Sequence, residues 1–237
     1  MIPRFFASVP VFLGLSLALH AQENEEVVPL KFRAVLHDPV NPVANLFYAE
    51  PSGERVPLSF RPKALTETLL SPPINGRLVL FDNATVDPEN PMAGMAASVR
   101  IPERIRQAIV VVMPGPPDQG PPYRMLVIDD SRNAFPPGES RVLPLVGVEI
   151  GVQAGEHRLS VRPGKITRVP PVKKVNEFNM AQTNFFYKRG ESWTVFTERQ
   201  LQYLDACRRL FIVHATPGAV APTVTTIVDM ARVGLPR

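Results

Sequence analysis

Three histidines beyond the first 21 residues, a lone cysteine, a loop with three carboxylates and an aromatic hairpin are the groups in this chain whose types could do chemistry. His37, His157 and His214 stand apart from one another in sequence. His214 follows the apolar Ile212-Val213, so a hydrogen-bonded structural imidazole is expected there, ahead of a base or metal ligand. His37 and His157 sit beside turns and are expected in solvent. Cys207 is the only cysteine, which excludes an internal disulfide. Within Leu204-Asp205-Ala206-Cys207-Arg208 it reads as a small buried side chain, with a reactive thiol as the sharper alternative.

Asp82, Asp87 and Glu89 could offer oxygens to calcium. Their spacing does not fit an EF-hand loop and the central glycine is missing, so a solvated loop is expected. Asn83-Ala84-Thr85 fits a glycosylation sequon, and Lys173-Lys174 reads as a solvated turn. The chain has no Gly-x-Ser-x-Gly elbow, no His-Glu-x-x-His, no phosphate-cradling glycine-rich loop and no cysteine pair for zinc. No catalytic residue, cofactor-binding residue or metal ligand is assigned, and a non-enzymatic role is the expectation.

One stretch suits binding. Thr183 to Phe196 reads as a hairpin with Phe185 and Tyr187 on one arm, Lys188-Arg189-Gly190-Glu191 at the bend, and Trp193 and Val195 on the other. Tyr187 and Trp193 are the candidate ligand-binding residues, a platform on which sugar rings could stack. Burial of the same rings in a core is the competing outcome.

These groups must be positioned by strands. The 27 prolines are about twice the usual ~5 % share, while glycine is ordinary and apolar residues are plentiful. Prolines between apolar runs suit short strands and turns. Leu30, Phe32, Ala34 and Leu36 alternate, as do Val56, Leu58 and Phe60, where Pro57 favours an edge strand. Asn75-Gly76 signals a turn ahead of Leu78 to Phe81. Ile109 to Met113 reads as a fully buried strand, Tyr123 to Ile128 as another, and Val142 to Val152 as a long apolar stretch. Glu198 to Arg209 alone has helix-compatible spacing, with Leu201 and Leu204 three apart and Arg208 four beyond.

The start of the chain points to a compartment. Arg4 precedes an apolar run from Phe5 to Leu19 and then His20-Ala21, the pattern of a secretory signal peptide. No later run reaches the roughly 20 apolar residues of a membrane span, so the mature chain is expected in the periplasm or outside the cell with no membrane span. Removing Arg4 leaves 25 Lys+Arg against 22 Asp+Glu, spread along the chain. That argues against a nucleic-acid partner.

Three matches recur in order. Gly53-Glu54 with Leu58-Ser59-Phe60-Arg61-Pro62 parallels Gly155-Glu156 with Leu159-Ser160-Val161-Arg162-Pro163; Arg106, Ile109-Val110 and Pro114-Gly115 parallel Arg209, Ile212-Val213 and Pro217-Gly218; Val127-Ile128-Asp129 parallels Ile227-Val228-Asp229. Collinearity at one offset implies an internal repeat of about 100 residues, the size of an immunoglobulin-like sandwich. The expected fold is all-β, two tandem immunoglobulin-like β-sandwich modules. The expected organisation is a signal peptide at 1–21, an acidic leader at 22–27, module 1 at 28–130, a proline-containing linker at 131–140, module 2 at 141–232 and a tail at 233–237. Phe135 is expected to pack between modules across a semi-rigid joint, and Asp129 and Asp229 to play equivalent turn or cap roles.

With its signal peptide and its Phe135-Pro136-Pro137-Gly138 to Arg141-Val142-Leu143 segment, the chain resembles secreted bacterial proteins built from tandem immunoglobulin or fibronectin-like modules. The resemblance implies no particular activity. The expected function is a secreted or periplasmic binding or structural protein of the cell envelope, meeting an envelope or extracellular protein through edge-strand addition. A carbohydrate-binding module using the aromatic hairpin is the alternative, with polysaccharide as partner; a hydrolase with a dispersed site is the third reading.

Overall fold

A computed structural model describes residues 28–38, 45–116 and 119–230. The expected signal peptide, acidic leader and tail lie outside the described residues. Among the described residues the chain is all-β, with sixteen strands in four sheets of four and no helix.

The first half contributes β1 (Leu30–Leu36), β2 (Leu46–Ala49), β3 (Arg55–Leu58), β4 (Leu69–Ser71), β5 (Arg77–Phe81), β6 (Met95–Arg100), β7 (Gln107–Pro114) and β8 (Tyr123–Asp129). The second contributes β9 (Ser140–Pro144), β10 (Ile150–Ala154), β11 (His157–Val161), β12 (Thr167–Val169), β13 (Met180–Arg189), β14 (Ser192–Gln202), β15 (Cys207–His214) and β16 (Thr223–Met230). Their sheets run β4-β1-β7-β8 and β3-β2-β5-β6 in the first half, β12-β9-β15-β16 and β11-β10-β13-β14 in the second. Adding eight to each strand number of the first pair gives the second. The parallel pairings β1 with β7 and β9 with β15 correspond as well.

Period-two alternation explains which face each side chain takes. Leu30, Phe32 and Ala34 of β1 enter a core with Leu78 and Leu80 of β5, between the two sheets of module 1. Val152 and Phe185 meet Phe211 and Val213 in the corresponding core of module 2. A third core joins the modules: Val35, Ile109, Val111, Met113 and Ile128 pack with Leu143, Leu210, Ile212 and Ile227. The sheets therefore stack in four layers, with β4-β1-β7-β8 and β12-β9-β15-β16 as the inner sheets. β7 and β15 are covered on both faces, which is why they read as unbroken apolar runs. Each such side chain removed from water stabilises the fold by about 1.5–3 kcal/mol.

The joint is part of that third core. Phe135 is 1 % exposed, with the guanidinium groups of Arg208 and Arg141 at 4.7 and 5.0 Å from its ring centre. Arg208 Nη1 also donates to the Phe135 carbonyl at 2.8 Å. Beside it, the buried Glu139 carboxylate pairs with Arg168 and faces Arg141.

Local signals explain the turns. Asn75 and Gly76 take φ of 51° and 71°, and Ile74 and Arg77 exchange two backbone hydrogen bonds around them, the two-residue hairpin their residue types favour. β3, with Pro57, is an edge strand. The helix expected at Glu198 to Arg209 does not form. Arg199 to Gln202 pair with Met180 to Thr183, Cys207 N bonds back to Leu204 O at 2.9 Å, and β15 begins. Two leucines three apart fit one helical turn, but the longer β13 ladder sets the conformation.

Candidate functional site

The outer sheets differ in what covers them. On module 1, Val79 and Phe81 point away from the core yet are buried. The Arg55 guanidinium lies 3.5 Å from the Phe81 ring centre and donates to Asn83 Oδ1, Thr85 O and Pro91 O. It thereby ties the loop between β5 and β6 over that face. In the same loop Asp87 Oδ1 accepts from Glu89 N and Asn90 N, while Asp82 Oδ1 accepts from Asn83 Nδ2. The acidic residues build turns there, and no group of three metal-ligating side chains occurs among the described residues.

The outer face of β11-β10-β13-β14 is open. Trp193, the only tryptophan, is 45 % exposed, and the six-membered ring of its indole lies against Gly151. Together with Gln153, Arg158, Ser160 and Phe186 they line a groove of about 530 Å³. Trp193 is therefore surface, and the competing core reading does not hold for it. Tyr187 goes the other way: it packs against the module 2 core, its ring 6.0 Å from that of Phe196. The register explains the split, since Lys188 pairs with Trp193 and Phe186 with Val195, while Tyr187 pairs with Thr194. The two candidate residues lie on opposite faces, and Phe186 is the aromatic partner of Trp193. Three consecutive aromatics, Phe185-Phe186-Tyr187, on a strand must alternate, which is the signal that could have found it.

Around this apolar floor the face is polar and of mixed charge. Gln182 Nε2 donates to Asn184 Oδ1 at 2.7 Å, Glu149 accepts from Ser160, and Arg158, Lys188, Glu198 and Gln200 complete the surround. Hydrogen-bonding groups ring two aromatic surfaces, with no excess of either charge.

His37 departs from its expected position in solvent. It closes β1 and is 8 % exposed, because the second module covers that end of the strand. His214, 7 % exposed, meets the structural expectation: Nδ1 donates to the Ala215 carbonyl at 3.1 Å and Nε2 accepts from the Thr225 hydroxyl at 3.0 Å, the tautomer assigned from this network. His157 is half-buried, 3.1 Å from the Pro171 carbonyl and 3.4 Å from its neighbour Glu156.

The expected equivalence of Asp129 and Asp229 is off by one residue. Ile128 and Ile227 share the inter-module core, so Asp130 and Asp229 face alike. Asp229 receives Arg33 at 2.8 and 2.9 Å and is also gripped by Arg208, while Asp130 bonds the same two arginines. Burial alone would push the Asp229 carboxyl up, but the hydrogen bonds and charge of Arg33 and Arg208 hold it below the usual range. Asp129 instead accepts from Ser131 N, starting the joint. Cys207 is buried, and that burial raises its thiol above the ordinary value. Compared with known proteins, the chain matches no protein-family model and no curated protein significantly.

Proposed function

We propose that this chain is a non-catalytic, secreted binding protein of the cell envelope, and that its ligand is a carbohydrate chain held on the outer face of β11-β10-β13-β14. The observation that carries this reading is the exposed indole of Trp193 beside Phe186 in an open groove. Aromatic faces suit the C–H faces of sugar rings, and the surrounding amides, hydroxyl and charged groups suit their hydroxyls. Mixed charge favours a neutral polymer. The recurring strand order supports descent of the two modules from one duplicated unit of about 100 residues.

Retention on a panel of insoluble neutral polysaccharides tests the reading. Wild type should bind at least one, Trp193→Ala should lose retention with an unchanged far-ultraviolet spectrum, and Tyr187→Phe should keep it. A wild-type chain that elutes unretarded from every polysaccharide defeats the proposal.

Strand addition by a protein partner is the second reading. It rests on β14, an eleven-residue sheet edge that is largely exposed and contains no proline. Proline substitutions along β14 would abolish such a complex while sparing retention on polysaccharide.

A further inference from the structure

The contact between the modules has two chemically different zones. At one, Arg33 and Arg208 meet Asp130 and Asp229. Six residues further along β15 the partners are histidines: His37 from module 1 and His214 from module 2 lie with ring centres 4.4 Å apart and planes at 63°. The backbone fixes both ends, since His37 N donates to Val112 O at 2.7 Å and His214 lies in the ladder opposite Thr223. The rings wall a cleft of about 180 Å³ between the modules. Its other charged side chains are Asp38, beside His37, and the exposed Arg61 and Lys63 from the segment between β3 and β4. Thr225 faces His214 from β16, and the remaining walls include the apolar Val35, Ile212 and Ile227.

Two neutral imidazoles pack here at little cost. Two imidazolium ions would place like charges in contact, nine-tenths out of water, with one neighbouring carboxylate against two further cations. The inter-module core beside them is apolar and offers no compensating group.

We infer that His37 and His214 form an acid-operated release: protonation of the pair parts the modules at the ends of β1 and β15, while the arginine–aspartate cluster keeps the other zone closed. Burial first, and then the His214 ring, lower the pKa of His37 from 6.5 to about 4, with Asp38 pulling the other way. A histidine with a lowered folded value binds its proton more readily once released. The closed state is thus at full strength above about pH 6.5 and loses ground as the pH falls towards 4. A gap of this size corresponds to a closed-to-open ratio lower by on the order of a hundredfold. Asp229 is held below the ordinary carboxylate range, so the cluster persists through that window.

Hydrogen exchange on the full mature chain tests the inference. Exchange protection of segments 33–38 and 210–215, corrected for the intrinsic pH dependence, should fall by on the order of a hundredfold between pH 6.5 and 4 in wild type. It should change by less than about tenfold in His37→Phe, which keeps a ring but cannot titrate, while segments 150–161 respond alike in both proteins. Equal pH dependence in wild type and His37→Phe overturns the inference. Should His37→Phe fail to fold, His214→Gln replaces it, and an NMR titration of the folded wild type decides. His37 titrating near 4 upholds the release, and His37 titrating at an unperturbed 6.5 overturns it.

Discussion

Gly151 and Trp193 occupy one spot on the open sheet face: a Cβ on Gly151 would lie 3.3 Å from both Cε3 and Cζ3 of the indole. The glycine is what lets the indole settle onto the sheet. Gly151→Val should lift the ring, shift the emission of the only tryptophan and weaken polysaccharide retention about tenfold. Global stability should move by no more than about 0.5 kcal/mol, since the displaced group is exposed and valine suits a strand. Fluorescence and chemical denaturation of one variant check both halves.

Asp229 joins two arginines from different modules, so its removal strands their charges in a part-buried site. Asp229→Ala should cost about 3–5 kcal/mol in urea unfolding. Because the folded carboxyl titrates below its unfolded value of 3.8, its contribution is fully present above that value and disappears as pH falls through the folded one. The gap between wild type and variant should therefore close in strong acid and stay constant from pH 5 to 8.

Phe135 fills the inter-module core between two guanidinium groups. Phe135→Ala should leave a cavity and cost about 3–5 kcal/mol. Trypsin should then cut at Arg132, a bond that resists cleavage in wild type.

Arg55 holds the loop between β5 and β6 by a ring contact and three hydrogen bonds. Arg55→Met should expose that loop to a glutamate-specific protease at Glu89 and destabilise the protein by about 1–3 kcal/mol, the cost of unmet carbonyls.

Cys207 is 1 % exposed and its thiol is raised by burial. It should react with iodoacetamide only after denaturation, so a folded protein that labels within minutes contradicts the structure.

The sequence carried the strands well because their signals are local. Alternation in β1, the Asn75-Gly76 turn and the unbroken run of β7 each follow from a few adjacent residues. Phe135 between the modules was also legible, since an aromatic side chain amid prolines at a joint has few places to go. The helix reading at Glu198 to Arg209 failed because a short apolar spacing was weighed without the partner strand that claims it. Trp193 and Tyr187 looked like one platform because the hairpin register was missing, and the bulge between Phe185 and Phe186 shifts it further. One residue of slip exchanges every face. Burial of His37 and the exchange of Asp129 for Asp130 depend on the second module, more than 90 residues away, which no local pattern reports.

The doubly covered strands have a consequence for what counts as a domain. A sheet whose two faces both need a neighbour cannot be finished by its own half of the chain. Cut at the joint, each half would present the apolar side of β7 or β15 to water and would associate or precipitate in place of folding cleanly. The intact chain should melt in a single calorimetric transition, and the smallest piece that can be excised, fused or reused is the pair.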